Sequence, residues 1–215
     1  MTVGGALKAA LRHLYEQSWR LLVLNVLVAV VAVAVAVVTV VSYSPVTLLL
    51  LAVVGPFAAA LMHCAVTLQQ TDRLRLGDGL VGLRLHWRRG LVLGALGAVA
   101  ASLVVTAVSF WSQHGALAWP LAVVATYIAG MFAVWQLHVW PLAVASRTSF
   151  GDVVREAAVG LARRPFASCG LAVALLVVNA IGAIGVLPVL TLTIAYSALA
   201  AAHFALPPPT EEATS

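Results

Sequence analysis

Charged residues are scarce in this chain. Lys, Arg, Asp and Glu together make up 9% of its 215 residues, and 63% of the residues are apolar. Soluble domains carry about 25% charged residues, because a surface that faces water has to be covered with polar groups. The composition therefore excludes a soluble globular protein of this size and predicts an integral membrane protein.

Cysteine and catalytic motifs are also scarce. Only Cys64 and Cys169 occur, and both fall inside apolar runs, which argues against a disulfide framework or a cysteine-based metal site. The apolar runs contain no Asp, Glu, Lys or Arg, and the chain has no Gly-rich phosphate loop, metalloprotease motif or serine nucleophile elbow. We therefore expect no enzymatic activity, no cofactor and no nucleic-acid partner.

The sequence does contain six long apolar runs, each close to the roughly 20 residues that a membrane-spanning helix needs. They cover residues 21–41, 46–68, 91–111 and 116–140, with a fifth that begins near Ala167 and a sixth that ends near Leu206. Between the last two runs the only break is at 182–188. The predicted fold class is all-α: a polytopic membrane helical bundle that forms one domain over residues 1–206. The tail at 207–215 is polar and short, and we expect it to be disordered.

The basic residues predict the orientation of the bundle. All twelve lie before the first run, between the second and third, or between the fourth and fifth, and the three opposite turns carry no charge. Because cytoplasmic loops accumulate Lys and Arg, we predict that both termini lie on the cytoplasmic side of the cell membrane. In each basic segment the apolar residues fall on one side of a helix and the basic residues on the other. This pattern indicates a short amphipathic helix that lies in the membrane interface. A solvated loop is the alternative.

Six arginines of the second and third basic segments are candidate ligands for anionic lipid. They are Arg84, Arg88, Arg89, Arg155, Arg163 and Arg164. Each Lys or Arg near an anionic membrane surface contributes roughly 1 kcal/mol of binding free energy, and these side chains would lie at headgroup depth. Their other role, which is to set the orientation during insertion, needs no bound lipid.

An internal repeat divides the chain into three copies, at about 1–70, 71–146 and 147–206. The even-numbered runs carry its markers: a proline, then a small residue, then a histidine. In chain order these are Pro45, Gly55 and His63, then Pro120, Gly130 and His138, and finally Pro188, Ala195 and His203. The first two copies share both intervals, and the third keeps the second interval but shortens the first by three residues. Each copy is predicted to consist of an interfacial helix, a spanning helix, an outer turn and a second spanning helix.

The repeat places His63, His138 and His203 at a similar depth near the cytoplasmic end of each even helix. If the even helices face inward, the three imidazoles converge, and three neutral imidazoles around an open fourth position suit Zn²⁺. A proton relay is another use for histidine at such a site. The alternative hypothesis is that each imidazole separately reaches a headgroup, a backbone carbonyl or water.

The stretch 45–89 resembles the YesL family of small bacterial membrane proteins. The resemblance rests on Gly-Pro-Phe-Ala-Ala-Ala-Leu at 55–61, on the Gly77-Asp78 loop with the basic segment 83–89, and on the ending 192–201. It implies a place beside carbohydrate ABC importers, because members of this family are often encoded with such importers and with sugar-degrading enzymes. The permease of an importer is the partner that the resemblance suggests. No catalytic or binding residues come with it.

Two functions remain open at this level. The first is a non-enzymatic accessory or scaffolding protein that works through membrane partners and lipids. The alternative is a self-sufficient transporter or channel for small solutes or ions, since Gly55-Pro56, Gly130 and 182–188 are positions where helices can break, as they often do at transporter sites. A polar pathway would need more lining groups than these runs offer, and their small residues also allow helices to pack closely.

Cysteine labelling tests the predicted orientation. Cysteines introduced at Ser44, Gln113 and Gly185 should react with an impermeant thiol reagent added from outside, because the uncharged turns face outward. Cysteines at Gln70 and Ser149 should remain unlabelled. Labelling of this second pair from outside would overturn the orientation.

Overall fold

A computed structural model of the protein describes residues 2–16, 18–42, 45–75, 77–115, 119–146, 148–184 and 192–207. The described part is helical and contains no strand, which confirms the predicted all-α class. The helices are α1 (Val3–Glu16), α2 (Ser18–Ser42), a 3₁₀ helix (Pro45–Val53), α3 (Val54–Thr71), α4 (Asp78–His114), α5 (Trp119–Ala145), α6 (Phe150–Arg163), α7 (Pro165–Ile184) and α8 (Ile194–Ala205).

Four helical stretches are long and apolar enough to cross a membrane: Leu49–Thr71, Asp78–Gln113, Trp119–Ala145 and Pro165–Gly182. A fifth crossing exists if Val3–Glu16 and Trp19–Val35, which meet at an angle of 91°, form one bent span. Six spans were expected, so the described residues support a polytopic membrane protein with four to five candidate spans. The described part of the sixth run is α8, whose 12 residues are too few to cross a bilayer. Most of the predicted break at 182–188, including Pro188, lies outside the described residues, as does the tail from 208 onward.

The second predicted interfacial helix is not a separate element. It continues without interruption into the third apolar run, so that α4 is a single helix of 37 residues. The sequence between the two parts contains no proline, and a lone glycine, Gly90, is tolerated within a helix at a cost of about 1 kcal/mol. Pro165 follows Arg164 and separates α6 from α7, because proline has no N–H to donate and fits only the first turn of a new helix.

The first helix packs against the bundle through one side only. Ala6, Ala10 and His13 are its buried residues and lie one turn apart along a single face. On the opposite face Arg12 Nε lies 2.9 Å from Glu16 Oε1, and this bond and the charge of Glu16 raise the pKa of the Arg12 guanidinium. α1 is therefore an amphipathic helix with a charged outer face, as the sequence predicts.

The main core lies at one end of the bundle, where α1, α3 and α8 meet. Leu61 and Leu68 of α3 and Leu199 of α8 are almost completely buried there, together with several alanines of α8. We call this end the basic end. It comprises α1, the described residues of 71–89 and those of 146–164. These segments are brought together by side-chain contacts described below.

Close packing of α3 against α4 depends on three glycines. A Cβ atom at Gly90 would lie 2.7 Å from the carbonyl oxygen of Gly55, and one at Gly94 would lie 2.8 Å from the Cα atom of Gly55. Any larger side chain therefore meets backbone, which cannot move aside without shifting a helix. Small residues of this kind let membrane helices approach closely.

Substitution of Gly90 by alanine should lower the stability of the bundle. The added methyl group meets the backbone of α3, and overpacking of this kind costs about 1–3 kcal/mol of unfolding free energy. Gly130→Ala in α5 is the matched control, because a Cβ at that position has no atom within 4 Å. Thermal unfolding in detergent measures both variants. Equal midpoints for Gly90→Ala and Gly130→Ala would show that the close approach of α3 and α4 is not what holds them.

Candidate functional site

Two histidines and an aspartate form a hydrogen-bonded chain at the basic end. His13 Nε2 on α1 lies 3.0 Å from Asp72 Oδ1, and its other ring nitrogen, Nδ1, lies 3.1 Å from His203 Nε2 on α8. Both imidazoles are buried, whereas the Asp72 side chain is 79% exposed. The chain therefore links a buried imidazole to a carboxylate in contact with the aqueous phase.

Each member of this chain is placed by a local feature of the sequence. Asp72 ends α3 in the left-handed conformation, at φ 52°, and its N–H donates to Leu68 O. This position usually takes Gly or Asn, and Asp is one of the few other residues that adopt it readily. His13 lies on the alanine side of α1, which packs on α8 and is also held by a hydrogen bond from Tyr196 Oη to Leu7 O at 3.2 Å.

The hydrogen positions in the chain follow from its acceptor. An ionised carboxylate can only accept, so a neutral His13 donates from Nε2 to Asp72 and accepts at Nδ1 from the Nε2–H of His203. A proton that binds to the other ring nitrogen of His203, Nδ1, can then leave through His13 toward the carboxylate. The arrangement has the connectivity of a proton relay, and it also fixes α1 to α3 and α8.

A second histidine pair lies between α3 and α4. The rings of His63 and His86 are 5.3 Å apart between centroids and tilted by 43°. Gly82 makes room for this contact, since a Cβ there would lie 2.7 Å from His63 Cβ. The Nε2 atom of His86 is buried and has no hydrogen-bond partner among the described residues.

The third histidine site joins α5 to α6 and α7. His138 Nε2 lies 2.8 Å from Ser168 Oγ, and Ser168 Oγ donates to Arg164 O at 2.9 Å. Because the serine hydrogen is used on that carbonyl, His138 is the donor in the first contact. The imidazole also meets Phe204 edge-on, at 5.6 Å between centroids. A cavity of about 380 Å³ lies beside it.

The three histidines that the sequence suggested as metal ligands thus have three different partners. His63 pairs with His86, His138 with Ser168, and His203 with His13. Across the described ranges no group of three or more His, Cys, Asp or Glu residues is arranged to hold a metal ion. The described residues therefore give the three imidazoles no common metal site.

Sequence reasoning did not identify the partners of these histidines. One signal was available for His13, because its spacing from Ala6 and Ala10 places it on the buried face of α1. No comparable signal marks Ser168, which lies in a largely apolar helix, or Asp72, which the sequence places in an ordinary polar loop. Their roles depend on which helices are neighbours.

The six arginines predicted to bind lipid fall into two groups. Arg89 is engaged within the protein: its guanidinium donates to the carbonyl oxygens of Ala143, Ser146 and Thr148, each at 2.7 Å. These bonds satisfy the end of α5, where helical carbonyls have no partner of their own. The other five arginines are exposed: Arg84, Arg88, Arg155, Arg163 and Arg164. Only these five remain candidates for headgroup contacts.

Replacement of His13 by alanine should loosen α1. The change leaves the buried Nε2–H of His203 without its acceptor, and an unsatisfied buried donor costs about 1–3 kcal/mol. Hydrogen exchange of the α1 amides, measured in detergent, should become faster. The control is Arg12→Gln on the exposed face of the same helix, where solvent screens the ion pair with Glu16 and its loss should change little. Equal exchange rates in the two variants would contradict a structural role for the chain.

Comparison with known proteins gives this geometry no family. No model of a known protein family, no curated protein and no solved structure matches the chain. The resemblance to the YesL family stays a prediction, and the contacts of the described residues carry the functional inference.

Proposed function

We propose that this chain is a non-enzymatic multi-pass membrane protein that serves as an accessory or scaffolding component of a membrane transport system, such as a carbohydrate ABC importer. The observation that carries this proposal is the exposed apolar surface of α4 and α5. In the 18-residue apolar stretch of α4 only 17% of the residues are buried inside the protein, and in that of α5 only 6%. The corresponding share for Leu49–Thr71 is 44%. The two helices thus offer most of their spanning surface to lipid or to another membrane protein.

A groove between α4 and α5 fits this role. It has a volume of about 600 Å³ and is lined by aliphatic and phenylalanine side chains with a single threonine. Several of its lining residues are alanines: Ala100, Ala107, Ala125 and Ala129. Alanines spaced four apart, as at 125 and 129, let a neighbouring membrane helix approach closely. The groove is therefore suited to the side chains of a partner helix.

The polar groups inside the spans support helix packing better than a solute pathway. Residues 90–113 of α4 and all of α5 carry no charged side chain. Asn179 Nδ2 donates to Ser197 Oγ at 2.8 Å and to Leu175 O at 2.7 Å, which joins α7 to α8. Interhelical bonds of this kind hold membrane helices together.

We also propose that the helices form three copies around a pseudo-threefold axis, with the basic end toward the cytoplasm. One kind of contact between copies recurs. Arg20 in the first copy donates to Leu74 O in the second, and Arg89 in the second copy donates to Thr148 O in the third. Each repeat histidine also contacts the basic segment of the next copy: His63 meets Gly82, His138 meets Gly160, and His203 meets His13. This cyclic order supports the arrangement.

Site-specific photo-crosslinking in native membranes tests the partner surface. A photoreactive amino acid in place of Ile128, in the groove, should give a discrete adduct with a permease subunit, because a partner helix would cover this position. The same amino acid in place of Leu176, which is 69% exposed on α7, should react with lipid. Ala125→Leu fills the groove and should abolish the adduct, whereas Ala133→Leu, on α5 outside the groove, should preserve it.

The opposite result would favour self-sufficient transport. Adducts with lipid alone from position 128 would remove the support for a partner helix. The chain Asp72–His13–His203 favours proton movement as the second candidate. Vesicles that contain only this protein distinguish the two functions, since an accessory protein leaves a proton gradient intact. If the native protein dissipates the proton gradient and His203→Ala does not, the alternative function is established.

A further inference from the structure

A cavity at the basic end combines positive charge with a buried imidazole. It lies where α6 ends, α7 begins and α8 ends, and has a volume of about 380 Å³. Cavities that bind small ligands measure about 300–1,000 Å³. Its wall includes His138, Gly160, Arg163, Arg164, Phe204 and Pro207, and none of the described lining residues is acidic. The cavity is therefore suited to an anion with an apolar part.

One nitrogen of His138 faces this cavity without a partner. The residue is 5% exposed, and its Nε2–H is used on Ser168. The other ring nitrogen, Nδ1, lies beside Gly160, since a Cβ at that position would be 3.3 Å from it. Among the described residues nothing donates to Nδ1. The imidazole thus presents a lone pair to the cavity, and Ser168 holds the ring in that tautomer.

The cationic side of the cavity is built from the junction between α6 and α7. Arg163 is in the last turn of α6, and Arg164 is the residue between the helices. Both side chains are exposed. α7 begins immediately afterwards at Pro165. Guanidinium groups bind phosphate oxygens through paired hydrogen bonds.

We propose that this cavity binds a glycerophosphoryl group, with the phosphodiester on Arg163 and Arg164 and a glycerol hydroxyl donating to His138 Nδ1. A phosphate oxygen cannot satisfy Nδ1, because both atoms are acceptors. A ligand that carries a hydroxyl next to an anionic phosphate satisfies both halves of the site. Phosphatidylglycerol has this chemistry, and Phe204 and Pro207 offer apolar contact to its lipid part. The site does not depend on the proposed accessory function.

Native mass spectrometry of the full chain in detergent, titrated with phosphatidylglycerol, tests the cationic half. The double variant Arg163→Gln/Arg164→Gln should bind the lipid about 30-fold more weakly, since each arginine contributes roughly 1 kcal/mol. The matched control is Lys8→Gln/Arg73→Gln, which removes the same charge from exposed positions that lie outside the cavity and outside the set of predicted lipid ligands. Its affinity should stay within about twofold, because distant exposed charges are screened. Equal losses in the two double variants would overturn the site.

Phosphatidylmethanol, which has the phosphodiester but no hydroxyl, tests the histidine half. The native protein should prefer phosphatidylglycerol by about tenfold, because a lipid without a hydroxyl leaves Nδ1 of His138 without a donor. His138→Phe keeps a ring against Phe204 and should lose the preference. Gly160→Ala gives a second variant that shields Nδ1, and Gly151→Ala in the same helix is its control, with the nearest atom 3.8 Å away. Equal binding of the two lipids by the native protein would overturn the role of His138.

Soluble glycerophosphoglycerol identifies the source of the group. If it displaces the lipid at a similar concentration, the site recognises the headgroup alone and takes a soluble phosphodiester. If it does not, the acyl region contributes and the ligand is the membrane lipid. Both results support the glycerophosphoryl site. The site would be overturned if neither compound bound to the native protein while its unfolding midpoint showed that it was folded.

Discussion

Helix ends impose the main constraint on this protein. The last carbonyl groups of a helix have no partner within it, and a polar group that is buried without a partner costs about 1–3 kcal/mol. Arg89 meets this need for α5 through three hydrogen bonds to Ala143, Ser146 and Thr148, and Arg20 binds the carbonyl of Leu74 just beyond α3. Because Arg20 lies at the start of α2 and Arg89 lies within α4, these bonds also fix which elements are neighbours at the basic end.

The polar chemistry gathers at this end as a consequence. Once the ends of α3, α5 and α8 lie beside the basic segments, their histidines contact those segments and not one another. His203 is joined to Asp72 through His13, His63 lies against His86, and His138 leaves one nitrogen open to a cationic cavity. The three histidines thus have three different surroundings, because the basic segments that they contact differ in sequence.

The half of the bundle that lies away from the basic end is largely apolar. The outer parts of α4 and α5 are apolar and largely unburied, so they suit lipid or another helix better than an aqueous ligand. Apolar surface therefore predominates along α4 and α5, and the polar contacts described above gather at the basic end. This division agrees with an accessory role, in which binding rather than chemistry is the activity.

The sequence by itself determined the membrane class, the all-α fold, the segregation of basic residues and the amphipathic character of α1 and α6, because these follow from composition and from local periodicity. It did not determine that α4 runs unbroken through Gly90, that Arg89 closes a helix end instead of facing lipid, or that His138 pairs with Ser168. Those outcomes depend on how far each helix is rotated and how closely it approaches its neighbours. The contact of Gly55 with Gly90 and Gly94 sets that approach for α3 and α4, and only the packed structure shows which side chains it brings together.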